Sequence, residues 1–187
     1  MELLVATHGY PAGAAAGLVG NLVAESGVQP DRLEGSRPGT PMRTADATGR
    51  VRGFTAEEVR DRDPRAGTGP RLPGVGIAQW SAPDRRAGLF RHAVAGRVPG
   101  AAVLTDLDAQ VDHLVAELGS SYRALDAVLR DPDTTVEDAA DAVLFRFEVP
   151  AAVLHGGRLR SRDDPAVQPV LTSRRELARD ALRVSGG

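Results

Sequence analysis

Apolar residues recur at helical spacing through most of the second half of the chain. Leu107, Val111, Leu114, Val115 and Leu118 fall at i, i+4, i+7, i+8 and i+11, which draws one face of a helix. Thr105 with Asp108 has the spacing of a capping box at its start, and Ser81 with Asp84 has the same spacing ahead of a helix to about Ala95. A short helix is expected over 121–130, carried by Tyr122, Leu125 and Leu129. Thr134 with Glu137 caps another, striped by Val136, Ala140, Val143, Leu144 and Phe147, and 173–184 reads as the last helix.

The first half is patterned differently. Residues 11–26 read as a helix, with Pro11 suited to its first turn and Gly27 to its C-terminal cap. Gly13, Gly17 and Gly20 lower its intrinsic propensity, so packing must hold it, and small residues predict a central helix closely approached by its neighbours. Residues 31–76 are rich in Gly and Pro and predict an irregular lobe with one small hairpin, interrupted by a helical segment at 55–62. The expected fold is mainly α, with a small irregular/β lobe after the first helix.

Composition narrows the picture. At 187 residues and 42% hydrophobic the chain suits one compact domain over 1–187, and with only 4% aromatics its core must be Leu, Val and Ala. A net charge of −2 gives no attraction to a polyanion, so no nucleic acid is expected as partner. There is no Cys, and His8, His92, His113 and His155 form no closely spaced pair, so neither a metal nor a cofactor is expected. No apolar run is long enough for a membrane span. The N-terminus MELLVATHGYPAG lacks both the basic and the apolar regions of a signal peptide.

The residue with the most chemical content is Glu25, in GLVGNLVAESG. At roughly 100° per residue it falls within about 60° of Leu18 and Leu22, at the edge of the apolar stripe. It also lies in the last helical turn, where the helix dipole disfavours negative charge. Both effects favour a protonated carboxyl, which is what a glycosidic leaving group needs from a general acid. The helical geometry alone equally accommodates a boundary carboxylate turned to water. A second motif, GVGIAQWSAPDRR, puts Gln79 beside the only Trp, Trp80, at a loop-to-helix junction. An amide and an indole suit the polar edge and the apolar face of a sugar, and they equally suit a cap and a core ring.

At these motifs the chain resembles the phage tail lysozyme family of the lysozyme-like superfamily. GNLVAESGVQP (20–30) fits the family's first motif. GIAQWS (76–81) with Arg85 and Arg86, then AQVDHLVAEL (109–118) and FEVP (147–150), come after it in the family's order. The resemblance implies a lysozyme-like helical domain that cuts the β-1,4 bond between N-acetylmuramic acid and N-acetylglucosamine in bacterial peptidoglycan. It implies Glu25 as general acid and Gln79 lining the cleft with Trp80 beside it; Asn21 and Glu148 are further candidate substrate contacts, Glu148 being equally readable as a structural residue at a helix end. Phe147 stands where the family usually has Tyr, so any hydroxyl contact there is lost. The Lys-free, Ala-, Gly- and Arg-rich composition is a GC-rich coding bias, as in actinobacteria or their phages.

Hydrolysis with inversion would need a second carboxylate about 6.5–9.5 Å from the acid. Glu34, Asp46, Asp61 and Asp63 are the lobe candidates, each equally readable as a solvated loop charge. The alternative is transglycosylation, in which the muramic acid's own 6-hydroxyl attacks and one Glu serves as acid and then base. Other classes are a non-catalytic peptidoglycan-binding tail module and a helical scaffold. Arg85 and Arg86 read as a solvated face or a holder of acidic wall groups, and Glu117 as a surface or salt-bridge residue. With no signal peptide expected, the protein would reach the wall as part of a phage tail or injection apparatus, with tail proteins as partners, or be released by lysis.

Overall fold

The structure is a computed structural model that describes residues 1–67, 69 and 71–186. In chain order its helices are α1 (Ala12–Ser26), α2 (Ala56–Asp61), α3 (Pro83–Arg91), α4 (Leu107–Ser121), α5 (Arg123–Arg130), α6 (Val136–Val143) and α7 (Gln168–Ser185). Short π or 3-10 segments (Leu3–Thr7, Gly100–Thr105, Leu144–Glu148, Ala151–Val153) and, among the described residues, two antiparallel hairpins accompany them: β1 (Arg43–Ala45) with β2 (Val51–Gly53), and β3 (Leu154–His155) with β4 (Arg158–Leu159). The fold is mainly α with a small hairpin lobe, as the hydrophobic spacing predicts. The chain forms two compact units, Met1–Ala24 with the chain from Val115 onward, and Glu25–Leu114.

The first unit is built on the glycines of α1. A Cβ added at Gly17 would lie 2.5 Å from the Cβ of Ala139 in α6, and one at Gly20 would lie 2.5 Å from the backbone nitrogen of Ala178 in α7. The absent side chains let three helices meet at backbone distance, which is why a segment of poor intrinsic propensity is nevertheless a helix. Asn21, fully buried, donates from Nδ2 to the carbonyls of Gly17 and Ala140, both at 3.0 Å, and so ties α1 to α6. Arg175 of α7 grips the buried Asp141 of α6 through two bonds of 2.8 and 2.6 Å. Tyr10 donates to Asp126 at 2.5 Å while the Arg130 guanidinium lies 4.4 Å from its ring centroid. Burial, reinforced by the Asp126 carboxylate, holds the Tyr10 phenol well above its ordinary pKa.

Three caps differ from the expected register. Ala82, ahead of Pro83, is extended at ψ 133°, so α3 starts at the proline and Ser81 caps nothing. The Ser81 hydroxyl instead accepts from Arg71 Nε at 3.1 Å. This helix stops at Arg91 rather than near Ala95, because Ala95 and Gly96 take φ +49° and +77° in a tight turn that pairs Val94 with Arg97. Asp106, not Thr105, caps α4 through the Ala109 N–H at 2.9 Å. Thr135 with Asp138, not Thr134 with Glu137, caps α6 at 3.1 Å, since two adjacent threonines and two adjacent acids satisfy the same spacing. The last helix also starts earlier than 173, at Gln168, because Pro169 is accepted in its first turn.

In the second unit a buried charge cluster joins the lobe to α3. Asp63 accepts from Arg65 Nε at 2.6 Å and Nη2 at 2.5 Å, and also pairs with Arg86. All three side chains are at most 5% exposed. Arg86 further donates to the carbonyl of Val59 at 2.6 Å and to that of Pro73. Burial lowers its pKa from the ordinary guanidinium value, and Asp63 opposes that shift. The expectation of a solvated Arg85–Arg86 face is therefore corrected at Arg86, which is 3% exposed and structural.

Candidate active site

Glu25 is half-buried near the end of α1, one turn beyond the fully enclosed Leu22. The next three residues fix where the helix stops. Gly27 and Val28 both take left-handed backbone, at φ +71° and +59°, an uncommon conformation for a β-branched residue. The Ser26 hydroxyl accepts the Val28 N–H at 3.0 Å and donates to the carbonyl of Ile77 at 2.7 Å. The ESG helix end and the GIAQW turn, separated by some fifty residues of lobe, are therefore one local structure.

The turn is closed by reciprocal backbone bonds between Val75 and Trp80 at 3.2 and 3.0 Å. Gly76 is at φ +74°, where an added Cβ would lie 2.5 Å from Gln110 Oε1 and 3.0 Å from the Trp80 ring. Gln110 holds this assembly together. Its Oε1 accepts from Ile77 N at 2.9 Å, and its Nε2 donates to the carbonyls of Pro30 and Val103, each at 2.7 Å. No part of this amide is exposed, and all its donors and its acceptor serve backbone groups of three loops.

The expected substrate contacts divide. Gln79 is half-buried at φ +45° in the turn that Ser26 fastens to the Glu25 helix end. Its Nε2 donates to Arg32 O at 3.1 Å and Gly76 O at 3.0 Å, so its amide nitrogen shapes the turn. Trp80 is a correction. It is 0% exposed, its ring centroid 5.2 Å from that of His113, and it supports the turn from inside rather than facing a ligand. The reason is economy of area: the largest apolar ring of an aromatic-poor chain is needed in its core. Asn21 is corrected likewise, being a fully buried bridge between helices. Glu148 ends a π turn, Leu144–Glu148, that continues α6 and is closed by Val149 at φ +42°. It is half-buried in the first unit, beside a Phe147 that packs edge-on against Tyr122 at 5.0 Å. Glu117, read as a surface or salt-bridge residue, is 7% exposed, which removes the surface alternative.

All four lobe carboxylates have partners, Asp61 only in an exposed pair. Asp63 holds two buried arginines, and Asp61 pairs with Arg60 at 2.5 Å. Asp46 accepts from the Thr48 hydroxyl at 2.6 Å and two backbone N–H groups, and that hydroxyl is the main cause of its lowered pKa. Glu34 accepts the Gly74 N–H at 2.6 Å, just ahead of the GIAQW turn.

The sequence model of the phage tail lysozyme family matches residues 1–168. The chain belongs to the phage tail lysozyme family. Comparison with curated proteins and with solved structures returned no match. As a phage tail lysozyme family member the chain is a lysozyme-like enzyme of peptidoglycan, and no helix among the described residues is long and apolar enough to cross a membrane. The family match stops where α7 begins, so the helix that covers Gly20 lies almost wholly outside it.

Two features of this family member are not announced by the motifs. Gln110 stands within a matched motif that gives it no role, although a Gln one turn before Leu114 on the apolar face of α4 is a readable signal. His92 and His113 come within 5.1 Å between ring centroids, with His92 also bonded to Asp112 at 2.7 Å, which their separation along the chain does not suggest. No group of three or more potential metal ligands occurs among the described residues.

Proposed function

We propose that this member of the family cleaves the β-1,4 bond between N-acetylmuramic acid and N-acetylglucosamine, with Glu25 as the general acid. The observation that carries the reading is the Ser26–Ile77 bond, which fastens the Glu25 helix end to the turn presenting Gln79. In that arrangement the carboxyl gives its proton to the bridging oxygen as the glycosidic bond breaks and positive charge develops on the sugar ring. Gln79 orients the sugar through its carbonyl oxygen. The protein opens the wall locally during penetration, as part of a phage tail or related apparatus in company with tail proteins, in a host of GC-rich type.

A second reading, lytic transglycosylation, is favoured by the engagement of Asp46, Asp61 and Asp63 with other partners. With those carboxylates committed, one glutamate serving as acid and then as base is the more economical route. Mass spectrometry of digested muropeptides separates the two. A reducing muramic acid end means hydrolysis, and a 1,6-anhydro end means transglycosylation.

Replacing Glu25 by Gln keeps shape and removes the proton. The expected outcome is a loss of turnover on purified peptidoglycan of about 10²–10⁴-fold, with wall pull-down retained. Equal turnover by the two proteins would overturn the assignment.

A further inference from the structure

A groove of about 470 Å³ runs beside the β1–β2 hairpin, lined by Asp31, Thr40, Met42, Arg43, Phe54 and Thr55 among others. We propose that it takes a peptide end carrying both an ammonium and a carboxylate, with Asp31 and Arg43 as its charged contacts. The proposal rests on the peptidoglycan reading above, because the stem peptides of that polymer contain a diamino acid and free carboxyl groups.

The walls are fixed by hydrogen bonds within the same unit. Leu33 N donates to Pro41 O at 3.1 Å, the Thr44 hydroxyl to Glu34 O at 3.0 Å, and Phe54 N to Met42 O at 2.9 Å. These hold the segment that carries Asp31 against the hairpin that carries Arg43. The floor is apolar, with Phe54 only 6% exposed and the Arg52 guanidinium 4.0 Å from its ring centroid. Methylenes of a diamino-acid side chain would lie on such a floor.

The charges are what select the ligand. Glu34, Asp46, Glu58, Asp61 and Asp63 of this lobe all accept hydrogen bonds or pair with arginines. Asp31 and Arg43 line one groove, yet among the described residues their side chains form no hydrogen bond or ion pair, with each other or with any neighbour. Two opposite charges that line one groove without pairing complement a ligand with the reverse pattern, whereas a neutral sugar would neutralise neither. The Thr55 hydroxyl accepts Glu58 N at 3.2 Å and keeps its proton to donate to a ligand carboxylate.

Calorimetric titration with the soluble tripeptide L-Ala-γ-D-Glu-meso-diaminopimelate, with amide shifts followed by NMR, tests this. Wild type is expected to bind, with shifts centred on Arg43 and Gly53, and acetylation of the peptide's side-chain amine should weaken binding about tenfold. Asp31→Asn should bind parent and acetylated peptides equally weakly, and Arg43→Gln should no longer distinguish the free carboxylate from its amide. Absence of tripeptide binding by wild type, shifts centred elsewhere, or variants that discriminate as wild type does would overturn the assignment. Wild-type turnover of peptide-free glycan strands, measured in parallel, reports on the glycosidase reading alone. Cleavage of those strands without tripeptide binding defeats the groove and leaves the glycosidase standing, and the converse defeats the glycosidase.

Discussion

The Ser26 hydroxyl donates to the carbonyl of Ile77 at 2.7 Å, joining the end of the first helix to a turn some fifty residues later. A hydroxyl one residue after Glu25 thereby sets where that carboxyl sits relative to the turn. Around this bond the chain uses left-handed backbone at Gly27, Val28, Gly76 and Gln79. At Val28 and Gln79, which carry a Cβ, such backbone is strained and persists only where the surroundings over-determine it.

Gln110 is the strongest of those surroundings. Gln110→Ala should cost about 3 kcal/mol or more of folding stability, because Ile77 N and the carbonyls of Pro30 and Val103 lose buried partners at about 1–3 kcal/mol each. Urea unfolding of the variant checks the magnitude. A midpoint equal to wild type would mean that water replaces the amide.

Two glycines should respond in opposite directions. Gly20→Ala forces a methyl into the backbone of Ala178 and should destabilise by about 1–3 kcal/mol. Gly119 is exposed in α4, and its new methyl would meet nothing nearer than Asp126 Oδ2 at 4.0 Å. Gly119→Ala should therefore stabilise by about 0.5–1 kcal/mol through helix propensity. Thermal melts of the pair provide the comparison.

Asp63 neutralises two enclosed guanidinium groups. Asp63→Asn leaves both of them buried without their carboxylate and should destabilise by about 3–5 kcal/mol. Near-wild-type stability of this variant in denaturant would show that the cluster opens to water.

Acid sensitivity has a named contributor in Glu58. The Thr55 N–H, helped by Arg52, holds its carboxyl down to about 2. A carboxyl with a lowered folded-state pKa adds stability above its unfolded value and loses it as pH falls through the folded one. Glu58→Gln should thus melt lower than wild type at pH 7, and the gap should close between about pH 4.5 and pH 2. A constant gap across that range would assign its role to packing.

The helices of the second half were legible because their stripes repeat over several turns, so a wrong cap moves a boundary without changing the element. The caps themselves were less legible. Thr134 and Thr135 are adjacent and succeeded by Glu137 and Asp138, so the spacing fits both pairs and only the structure shows that Thr135 caps. Trp80 shows the limit on the site side: beside an amide in a loop it suits a sugar platform or a core ring, and burial decided for the core.

The amino-acid order by itself determined the helical class, the position of the lobe, the family and the choice of Glu25 as the carboxyl to watch, because periodicity and short motifs are local. Only the tertiary structure decided that Gln110, Asp63 and Arg86 are internal, that Ser26 reaches Ile77, and that Asp31 and Arg43 line one groove. Those facts depend on which distant segments share a space, and a hydrogen bond or a desolvated charge has no period along the chain to reveal it.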